Sequence, residues 1–255
     1  MKINLLSKVD FFNLVYNSTS EFLNKIEKPE VFIVKDFYPK NEILDIRNIT
    51  FENGKKTEPS WHPCFDDCPD FHRVHNNYPN AHVKAIMHAY YKHGYLKENE
   101  KLFDYFSEIF DLKNFLAGTP KGSFIKNIPS ELYIARVNIH NYPKGGGYQM
   151  SHVDPVSKFA LIQTIVQASE WQKDFKSGGV YGCSRKDGKR FYIDSYTEVG
   201  DLIVLSPNII HGVEEIDKDE RLNWEENSGR WMIMPIIIHS DYPSKTNLKP
   251  KEIRK

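Results

Sequence analysis

The sequence is poor in three features, each of which would assign it to a large class of proteins. Only three of its 255 residues are cysteine (Cys64, Cys68 and Cys183), an odd and small number that excludes a disulfide scaffold and is typical of a reducing compartment. No stretch approaches the roughly 18–20 consecutive apolar residues that a membrane-spanning helix needs. No charge of one sign is in excess, because 34 Lys and Arg balance 34 Asp and Glu. The chain therefore lacks an overall field that would draw it to nucleic acid or to an anionic membrane.

The start of the chain also lacks the pattern of a secretory signal, because its apolar stretch ends after Leu5 and Leu6. Internal repeats and low-complexity segments are absent from the sequence as well. The chain does have enough apolar residues for a sizeable core, since 40% are hydrophobic and 13% are aromatic. We expect a folded, cytoplasmic protein of one domain, with no nucleic-acid or membrane partner.

The hydrophobic period predicts helices in the first half of the chain. In residues 101–110 the apolar positions recur at the i, i+3, i+4 spacing of one helix face, and residues 80–95 have a similar rhythm. The short apolar run at residues 31–34 predicts a strand that leads into a turn. Residues 1–125 are therefore predicted to be mostly helical.

After about residue 125 the period changes to 2. In residues 133–140 the odd positions are apolar and the even positions are largely polar, as in a strand with two different faces. Further strands are predicted at residues 159–168, 179–183, 190–193, 201–205 and 230–239. Several short strands of this kind are typical of a sandwich or a barrel. We predict that a helical part (1–125) packs on a β core (126–243) and that a Lys-rich tail (244–255) follows.

The strongest chemical signal is the triplet His152-Val153-Asp154. Residues i and i+2 of a strand point to the same side, so the imidazole and the carboxylate can converge on one ion. The third ligand is predicted to be His211, which follows a strand and a turn that would bring it back across a sandwich. Two histidines and one carboxylate on one face of an octahedral ion leave three positions open, which is the arrangement of non-haem Fe(II) oxygenases.

The residues around this triplet extend the signal over about residues 131–240. The segments that carry it are Tyr142-Pro143-Lys144-Gly145-Gly146-Gly147-Tyr148-Gln149-Met150-Ser151-His152-Val153-Asp154, Ser177-Gly178-Gly179-Val180, Gly200-Asp201-Leu202-Ile203-Val204-Leu205 and His211-Gly212-Val213. This pattern resembles the iron(II)- and 2-oxoglutarate-dependent oxygenases, and within that superfamily most of all the prolyl-hydroxylase-like branch. The resemblance implies a mainly β protein with flanking helices and a double-stranded β-helix (jelly roll) core. It also implies Fe(II) as the metal, with 2-oxoglutarate and O2 as cosubstrates.

The resemblance assigns roles to five residues. His152, Asp154 and His211 match the facial iron triad of the family. Tyr142, ten residues before His152, matches a tyrosine whose hydroxyl contacts 2-oxoglutarate. Arg230 stands at the start of the last core strand, where the family places a basic residue that holds the C5 carboxylate. A planar guanidinium suits this role because it binds a carboxylate with two parallel hydrogen bonds.

The sequence departs from the family pattern near Arg230 and in the strand of residues 159–168. Arg230 follows His211 by nineteen residues, which is more than the usual spacing and predicts an inserted loop; Arg221, in a charged run, is the less favoured alternative. In the strand of residues 159–168, close relatives carry a tyrosine that assists the C5 carboxylate, whereas this chain has Gln163 and Gln167. Either amide could donate that hydrogen bond, or both could be ordinary buried or edge residues. The pair Gly178-Gly179 predicts a positive φ angle.

Three polar residues share one face of the strand that leads to Tyr142: Arg136, Asn138 and His140. They line the substrate pocket if this face looks into the barrel, and they are surface residues if it looks outward. A second cluster in the first half contains Cys64, Cys68, His72 and His75. It could be a zinc site, a lid over the barrel mouth or a structural loop, although the spacing of its cysteines is not that of common zinc sites.

The predicted function is hydroxylation of an unactivated C–H bond of a small metabolite, such as an amino acid or a sugar, with release of succinate and CO2. One alternative within the class is a peptidyl hydroxylase of the prolyl type. An alternative from another class is a non-catalytic jelly-roll module that binds a metal or a ligand. These residues carry no prediction of the oligomeric state.

Overall fold

The computed structural model describes residues 2–242 except for residues 29, 80, 82, 186 and 187. In this part of the chain, strands occur from end to end, whereas the α-helices lie in the first half. The strands are β1 (Lys2–Leu6), β2 (Glu30–Val34), β3 (Phe71–Asn76), β4 (Ala85–His93), β5 (Tyr133–Tyr142), β6 (Gly147–His152), β7 (Gln163–Gln167), β8 (Gly179–Cys183), β9 (Arg190–Tyr192), β10 (Leu202–Leu205), β11 (Ile210–Ile216) and β12 (Arg230–His239). The α-helices are α1 (Lys8–Asn17), α2 (Thr19–Glu27), α3 (Lys40–Gly54), α4 (Glu100–Tyr105) and α5 (Ser107–Leu116). Short 3-10 turns occupy Lys97–Asn99, Pro129–Glu131 and Asp194–Tyr196.

The strands form one continuous sheet that folds over itself. Its order is β1-β2-β10-β7-β12-β5-β4-β6-β11-β8-β9, and β3 pairs with β4 beside this path. The longest ladder joins β5 to β12, from Arg230 opposite Tyr142 to His239 opposite Tyr133. Another ladder joins β6 to β11 and places His211 directly opposite His152. The sheet thus carries residues that are far apart in sequence to facing positions.

Two apolar clusters hold the fold together. The outer cluster packs helix side chains such as Phe22 and Phe110 against residues of the sheet such as Trp231. The inner cluster lies between the two halves of the folded sheet and contains Tyr142 and Val213. This is a mainly β architecture with flanking helices, and it confirms the predicted double-stranded β-helix.

The prediction of a helix over residues 80–95 is wrong, because the described part of this segment contains β4 (Ala85–His93). Its odd residues, such as Met87, face the inner cluster, whereas Tyr90 faces the outer cluster. A strand that is covered on both faces loses the alternation of apolar and polar residues that marks a half-exposed strand. Its apolar positions then fall by chance at helical spacing.

The other predicted elements are confirmed. Residues 101–110 lie in α4 and α5, which are separated at Phe106. The strand predicted at residues 31–34 is β2, and the strand predicted at residues 159–168 is the shorter β7. The first half is less helical than expected, since it also supplies four strands to the sheet. The tail at residues 244–255 lies outside the described residues. Among the helices of the described residues, none is long and apolar enough to cross a membrane.

Candidate metal centre and its pocket

His152, Asp154 and His211 converge at one point of the structure. His152 ends β6, and Asp154 follows that strand with its N–H bonded to the Pro207 carbonyl at 3.0 Å. The Nε2 atom of His152 lies 3.5 Å from Asp154 Oδ1, and Nε2 of His211 lies 3.2 Å from Oδ2. One ligand atom from each of the three residues lies within 4.8 Å of the others. This donor set is the one that the sequence predicted.

Backbone carbonyls orient both imidazole rings. His152 Nδ1 lies 2.9 Å from the Met150 carbonyl, and His211 Nδ1 lies 2.8 Å from the Ile209 carbonyl. With the proton on Nδ1, each ring donates to its carbonyl and turns the lone pair of Nε2 toward Asp154. Such a second hydrogen bond fixes the tautomer and the direction of metal-binding histidines. The rings are thus arranged as metal ligands.

The electrostatics of the triad describe its metal-free form, in which hydrogen bonds from the imidazole rings to Asp154 take the place of a metal ion. Burial raises the pKa of Asp154, but the hydrogen bonds from His152 and His211 outweigh it and bring this pKa below its ordinary value. Burial lowers the pKa of His152, while the Asp154 carboxylate and the Met150 carbonyl raise it, with a net increase. Gln163 Nε2 also donates to Asp154 Oδ2 at 2.6 Å. The carboxylate is therefore ionised and held in place at neutral pH.

Arg230 lies fully inside the barrel, whereas Arg221 is exposed. The Nε and Nη2 atoms of Arg230 donate to the two carboxylate oxygens of Asp194, at 2.8 and 2.9 Å. Nη2 also donates to Gln167 Oε1 at 3.2 Å. The third nitrogen, Nη1, is buried and has no hydrogen-bond partner among the described residues. Arg230 thus keeps one buried donor for a ligand, which Arg221 does not.

Asp194 is a residue of this site that the sequence analysis missed. It is buried, and besides Arg230 it accepts the N–H of Val180 at 2.7 Å. A Cβ on Gly179 would lie 2.4 Å from Asp194 Oδ2, so only glycine leaves room for this carboxylate. The φ angles of Gly178 and Gly179 are +80° and +110°, which confirms the predicted backbone requirement.

Tyr142 and Gln167 lie next to Arg230. Tyr142 faces Arg230 across the β5–β12 ladder, and its hydroxyl donates to Gln149 Oε1 at 2.8 Å. Burial raises the pKa of Tyr142, so the hydroxyl keeps its proton. Gln167 donates from Nε2 to the Ser169 carbonyl at 3.0 Å, and its carbonyl oxygen accepts from Arg230. Gln167 thus helps to hold the guanidinium of Arg230, and the contact of Tyr142 or Gln167 with a cosubstrate stays a prediction.

Arg136, Asn138 and His140 face the inside of the barrel, because they share the side of β5 on which Tyr142 joins the inner cluster. Buried atoms without a hydrogen-bond partner occur in all three: Arg136 Nε, Asn138 Oδ1 and both ring nitrogens of His140. Burial lowers the pKa of His140 to about 3, so this ring is neutral. Unpaired buried polar atoms are rare in folded proteins, and this row is therefore suited to a ligand or ordered water.

Lys113, on α5, is a second residue that the sequence analysis missed. Its side chain is buried, and Nζ donates to the Ile162 carbonyl at 3.1 Å. Burial lowers its pKa to about 8, against the attraction of the Asp154 carboxylate. The apolar spacing of α5 gives no sign that its lysine points into the protein.

The cluster of Cys64, Cys68, His72 and His75 does not form the zinc site that was considered. The triad is the one group of potential metal ligands that converges in the described residues. A hydrogen bond between the two thiols raises the pKa of Cys64 and lowers that of Cys68. His72 instead lies 2.6 Å from His88, between ring nitrogens. Both cysteines line a cavity that Arg136 also lines, so a lid over the pocket stays a prediction.

Comparisons with known proteins were made by sequence and by structure. No family model matches the sequence, and no curated protein matches it. One similar structure is the thymine hydroxylase of Neurospora crassa in complex with alpha-KG and thymine, with a TM-score of 0.58, 12% identity and coverage of 99% of this chain and 92% of that chain. A 2OG-Fe(II) oxygenase family protein from Caulobacter crescentus has a TM-score of 0.54 at 11% identity, over 93% of this chain and 87% of that chain.

A third similar structure is a prolyl hydroxylase from Trichoplax adhaerens in complex with a hypoxia inducible factor oxygen degradation domain peptide fragment. Its TM-score is 0.54 at 12% identity, over 95% of this chain and 98% of that chain. At such identities the likeness concerns the fold, and it extends over nearly the whole chain. The chain therefore has the double-stranded β-helix fold of the iron(II)- and 2-oxoglutarate-dependent oxygenase superfamily, with a His-Asp-His triad that can hold one metal ion.

Proposed function

We propose that this protein is an Fe(II)- and 2-oxoglutarate-dependent dioxygenase that hydroxylates an unactivated C–H bond of a small molecule. The observation that carries the proposal is the joint presence of a metal-binding triad and a buried arginine donor inside one jelly roll. His152, Asp154 and His211 converge within 4.8 Å, and Arg230 Nη1 is buried without a partner among the described residues. A non-catalytic binding module would not need both.

His152, Asp154 and His211 would hold the Fe(II) ion. The two Nε2 lone pairs and the ionised carboxylate form a facial donor set, and they leave positions for cosubstrates. When bound, Fe(II) together with 2-oxoglutarate and O2 supplies the oxidising chemistry that converts C–H to C–OH and releases succinate and CO2. Gln163 donates to Asp154 Oδ2, the oxygen that also faces His211, and restricts the rotation of the carboxylate.

Arg230 would bind the C5 carboxylate of 2-oxoglutarate through its unpaired Nη1. Asp194 fixes the plane of the guanidinium and balances its charge, so the donor is oriented before the cosubstrate arrives. Tyr142 and Gln167 complete this wall of the pocket. Apolar side chains of the inner cluster, such as Ile165 and Met232, exclude water from the reacting atoms.

The prime substrate is proposed to be a small molecule rather than a polypeptide. At the Arg136 end of the polar row of β5 lies a cavity of about 160 Å3, a size suited to part of a small molecule. The similar thymine hydroxylase was solved with thymine, and the similar prolyl hydroxylase with a peptide fragment. A peptidyl hydroxylase is the alternative within the class.

The test is an anaerobic titration of the apoprotein with Fe(II) and 2-oxoglutarate. The wild-type protein should develop the visible charge-transfer band of a 2-oxo acid chelated to Fe(II). Asp154→Ala should lose the band and all turnover, because the ion loses its anionic ligand. Asp219→Ala, which removes an exposed carboxylate, serves as the matched control.

A second variant tests the cosubstrate site. Arg230→Gln should weaken the binding of 2-oxoglutarate at least tenfold, while Fe(II) still binds, because one charge-assisted hydrogen bond contributes about 1.5–3 kcal/mol. Iron binding without the band in the wild-type protein would mean a different metalloenzyme. Binding of neither component would favour the non-catalytic module.

A further inference from the structure

Arg136 lines the cavity of about 160 Å3 at the side of the barrel, together with Arg73, Tyr91, Cys64, Cys68 and Asp241. The guanidinium lies over the Tyr91 ring, 4.8 Å from its centroid. The described residues offer Arg136 no carboxylate within 4.0 Å and no hydrogen-bond acceptor, and its Nε is buried without a partner. An arginine does not escape this situation by losing its proton, since its charge persists in proteins.

Two buried arginines are paired with carboxylates, whereas the half-buried Arg136 has no such ion pair among the described residues. Arg47 makes two hydrogen bonds to Asp174, at 2.9 and 3.1 Å. Arg230 makes two to Asp194. A buried charge without a counter-charge is costly, so proteins normally pair it. Asp241 lies on the same cavity wall and attracts Arg136 without an ion pair to it within 4.0 Å, so the contrast indicates that the direct partner of the guanidinium comes from outside the chain.

The cavity as a whole attracts anions. Arg73 and Arg136 bring two positive charges to its wall, and Asp241 brings one negative charge while it accepts the N–H of Cys64 at 2.7 Å. Burial lowers the pKa of His93, a further wall residue, which keeps that ring neutral. Because the whole chain has no net charge, the excess of positive charge at this cavity belongs to the cavity and not to the surface in general.

The polar row of β5 joins this cavity to the metal centre. Arg136, Asn138 and His140 are two residues apart on one side of a strand, so the Cα atoms of the first and the last are about 13 Å apart. His140 stands two residues before Tyr142, whose hydroxyl donates to Gln149 on β6, the strand that ends at the metal ligand His152. A small elongated molecule with one anionic end at Arg136 would therefore point its other end toward the triad.

We propose that the prime substrate carries a carboxylate and that Arg136 binds this group, with Asn138 and His140 along its length; this rests on the proposed function. The planar fork of the guanidinium matches a carboxylate with two parallel hydrogen bonds. The free donors of Arg136 fit a carboxylate, and the length of the polar row requires an elongated organic acid rather than a compact one. Arg136 thus selects the substrate, whereas Arg230 holds the cosubstrate.

The first experiment measures binding to the apoprotein by saturation-transfer NMR, which does not depend on iron. The probes are mono- and dicarboxylic acids with chains of four to twelve carbon atoms, each compared with its primary amide. At least one acid should bind the wild-type protein at least tenfold more tightly than its amide. Arg136→Met should lose this preference, Arg136→Lys should retain part of it, and Arg221→Met, which removes an exposed arginine, should leave it unchanged.

A stability measurement separates a binding role from a structural one. Methionine retains the apolar stem that covers Tyr91 and removes an unpaired charge, so ligand-free Arg136→Met should melt at or above the wild-type temperature. A clear loss of thermal stability would identify a structural arginine and overturn the proposal. Equal binding of acids and amides, failure of every acid to bind, or Arg136-dependent binding of inorganic phosphate alone would also overturn it.

The proposed function and this inference fail in different ways. If the charge-transfer band forms but acid binding is independent of Arg136, the enzyme assignment holds and the substrate inference falls. If acids bind through Arg136 but Fe(II) and 2-oxoglutarate give no band, the anion site holds and the assignment as a dioxygenase falls. With both intact, the acid that binds best should also stimulate O2 consumption by the holoenzyme, and Arg136→Met should raise its KM at least tenfold.

Discussion

Asp194 shows how one buried carboxylate can prepare another residue for binding. It fixes two of the three guanidinium nitrogens of Arg230 and leaves Nη1 for a ligand. We expect Asp194→Asn to destabilise the protein by about 3–5 kcal/mol, because it leaves the buried charge of Arg230 unbalanced. The affinity for 2-oxoglutarate should fall as well, while the affinity for Fe(II) stays close to that of the wild-type protein. Urea unfolding and the charge-transfer titration measure the two effects.

Asp174→Asn is the matched control for this prediction. It breaks the ion pair with Arg47, which lies between α3 and the loop that follows β7 and does not involve a predicted site residue. This control should lower stability without changing the binding of 2-oxoglutarate. If Asp194→Asn behaves in the same way, Asp194 has only a structural role.

Lys113 makes stability depend on pH in an alkaline range. Burial lowers its pKa from 10.5 to about 8 in the folded protein, so the unfolded chain binds more protons between these two values. Stability must therefore rise as the pH increases from about 8 to about 10.5, by about 3 kcal/mol in total. Lys113→Met should abolish this contribution, whereas Lys121→Met, at an exposed position, should retain it. Urea unfolding gives the free energy of unfolding of the three proteins at pH 7.5 and pH 10. An equal change between the two pH values in all three proteins would contradict the prediction.

Local motifs predicted the metal centre, whereas distant pairings escaped prediction. His152 and Asp154 are neighbours in sequence, and the surrounding glycines extended their signal as far as His211 and Arg230. Asp194 became a site residue only because the fold brings it to Arg230, 36 positions away. Nothing in a single sequence marks such a partner, and the same holds for the burial of Lys113.

At the scale of elements, the strand β5 was predictable from the sequence and the strand β4 was not. β5 has an apolar side and a polar side, and its alternation was visible in the sequence. β4 contributes Met87 to the inner cluster and Tyr90 to the outer one, so its two sides have similar hydrophobicity. Periodicity alone cannot separate a buried strand from a helix in this case.

The polar side of β5 also shows why orientation had to come from the fold. From sequence alone, Arg136, Asn138 and His140 could face either the barrel or the solvent. The pairing of β5 with β12 and β4 places them inside, on the side of Tyr142. A shift of the pairing register by one residue would have turned the polar side outward.

For the molecule as a whole, the first half of the chain is part of the β structure rather than a separate helical layer. β2 pairs with β10 from Leu202 opposite Val34 to Leu205 opposite Val31, and β4 pairs with both β5 and β6. The helices then cover the outer face of this same sheet. We therefore expect the chain to unfold as one cooperative unit.

Phe32 offers a test of this cooperativity, because it lies on β2 and packs against Phe22 of α2, with 5.7 Å between ring centroids. Phe32→Ala should cost about 3–5 kcal/mol by opening a cavity in the outer cluster. The loss should appear equally in far-UV circular dichroism during urea unfolding and in the hydrogen exchange of the β5–β12 ladder. Val9→Ala, at an exposed position of α1, should change stability by less than about 0.5 kcal/mol. If the β5–β12 amides kept their wild-type protection in Phe32→Ala while the dichroism fell in two steps, the first half of the chain would be an independent unit. If the loss of stability were the same by both measurements, the strands of residues 1–125 would be integral to the barrel that holds the metal centre.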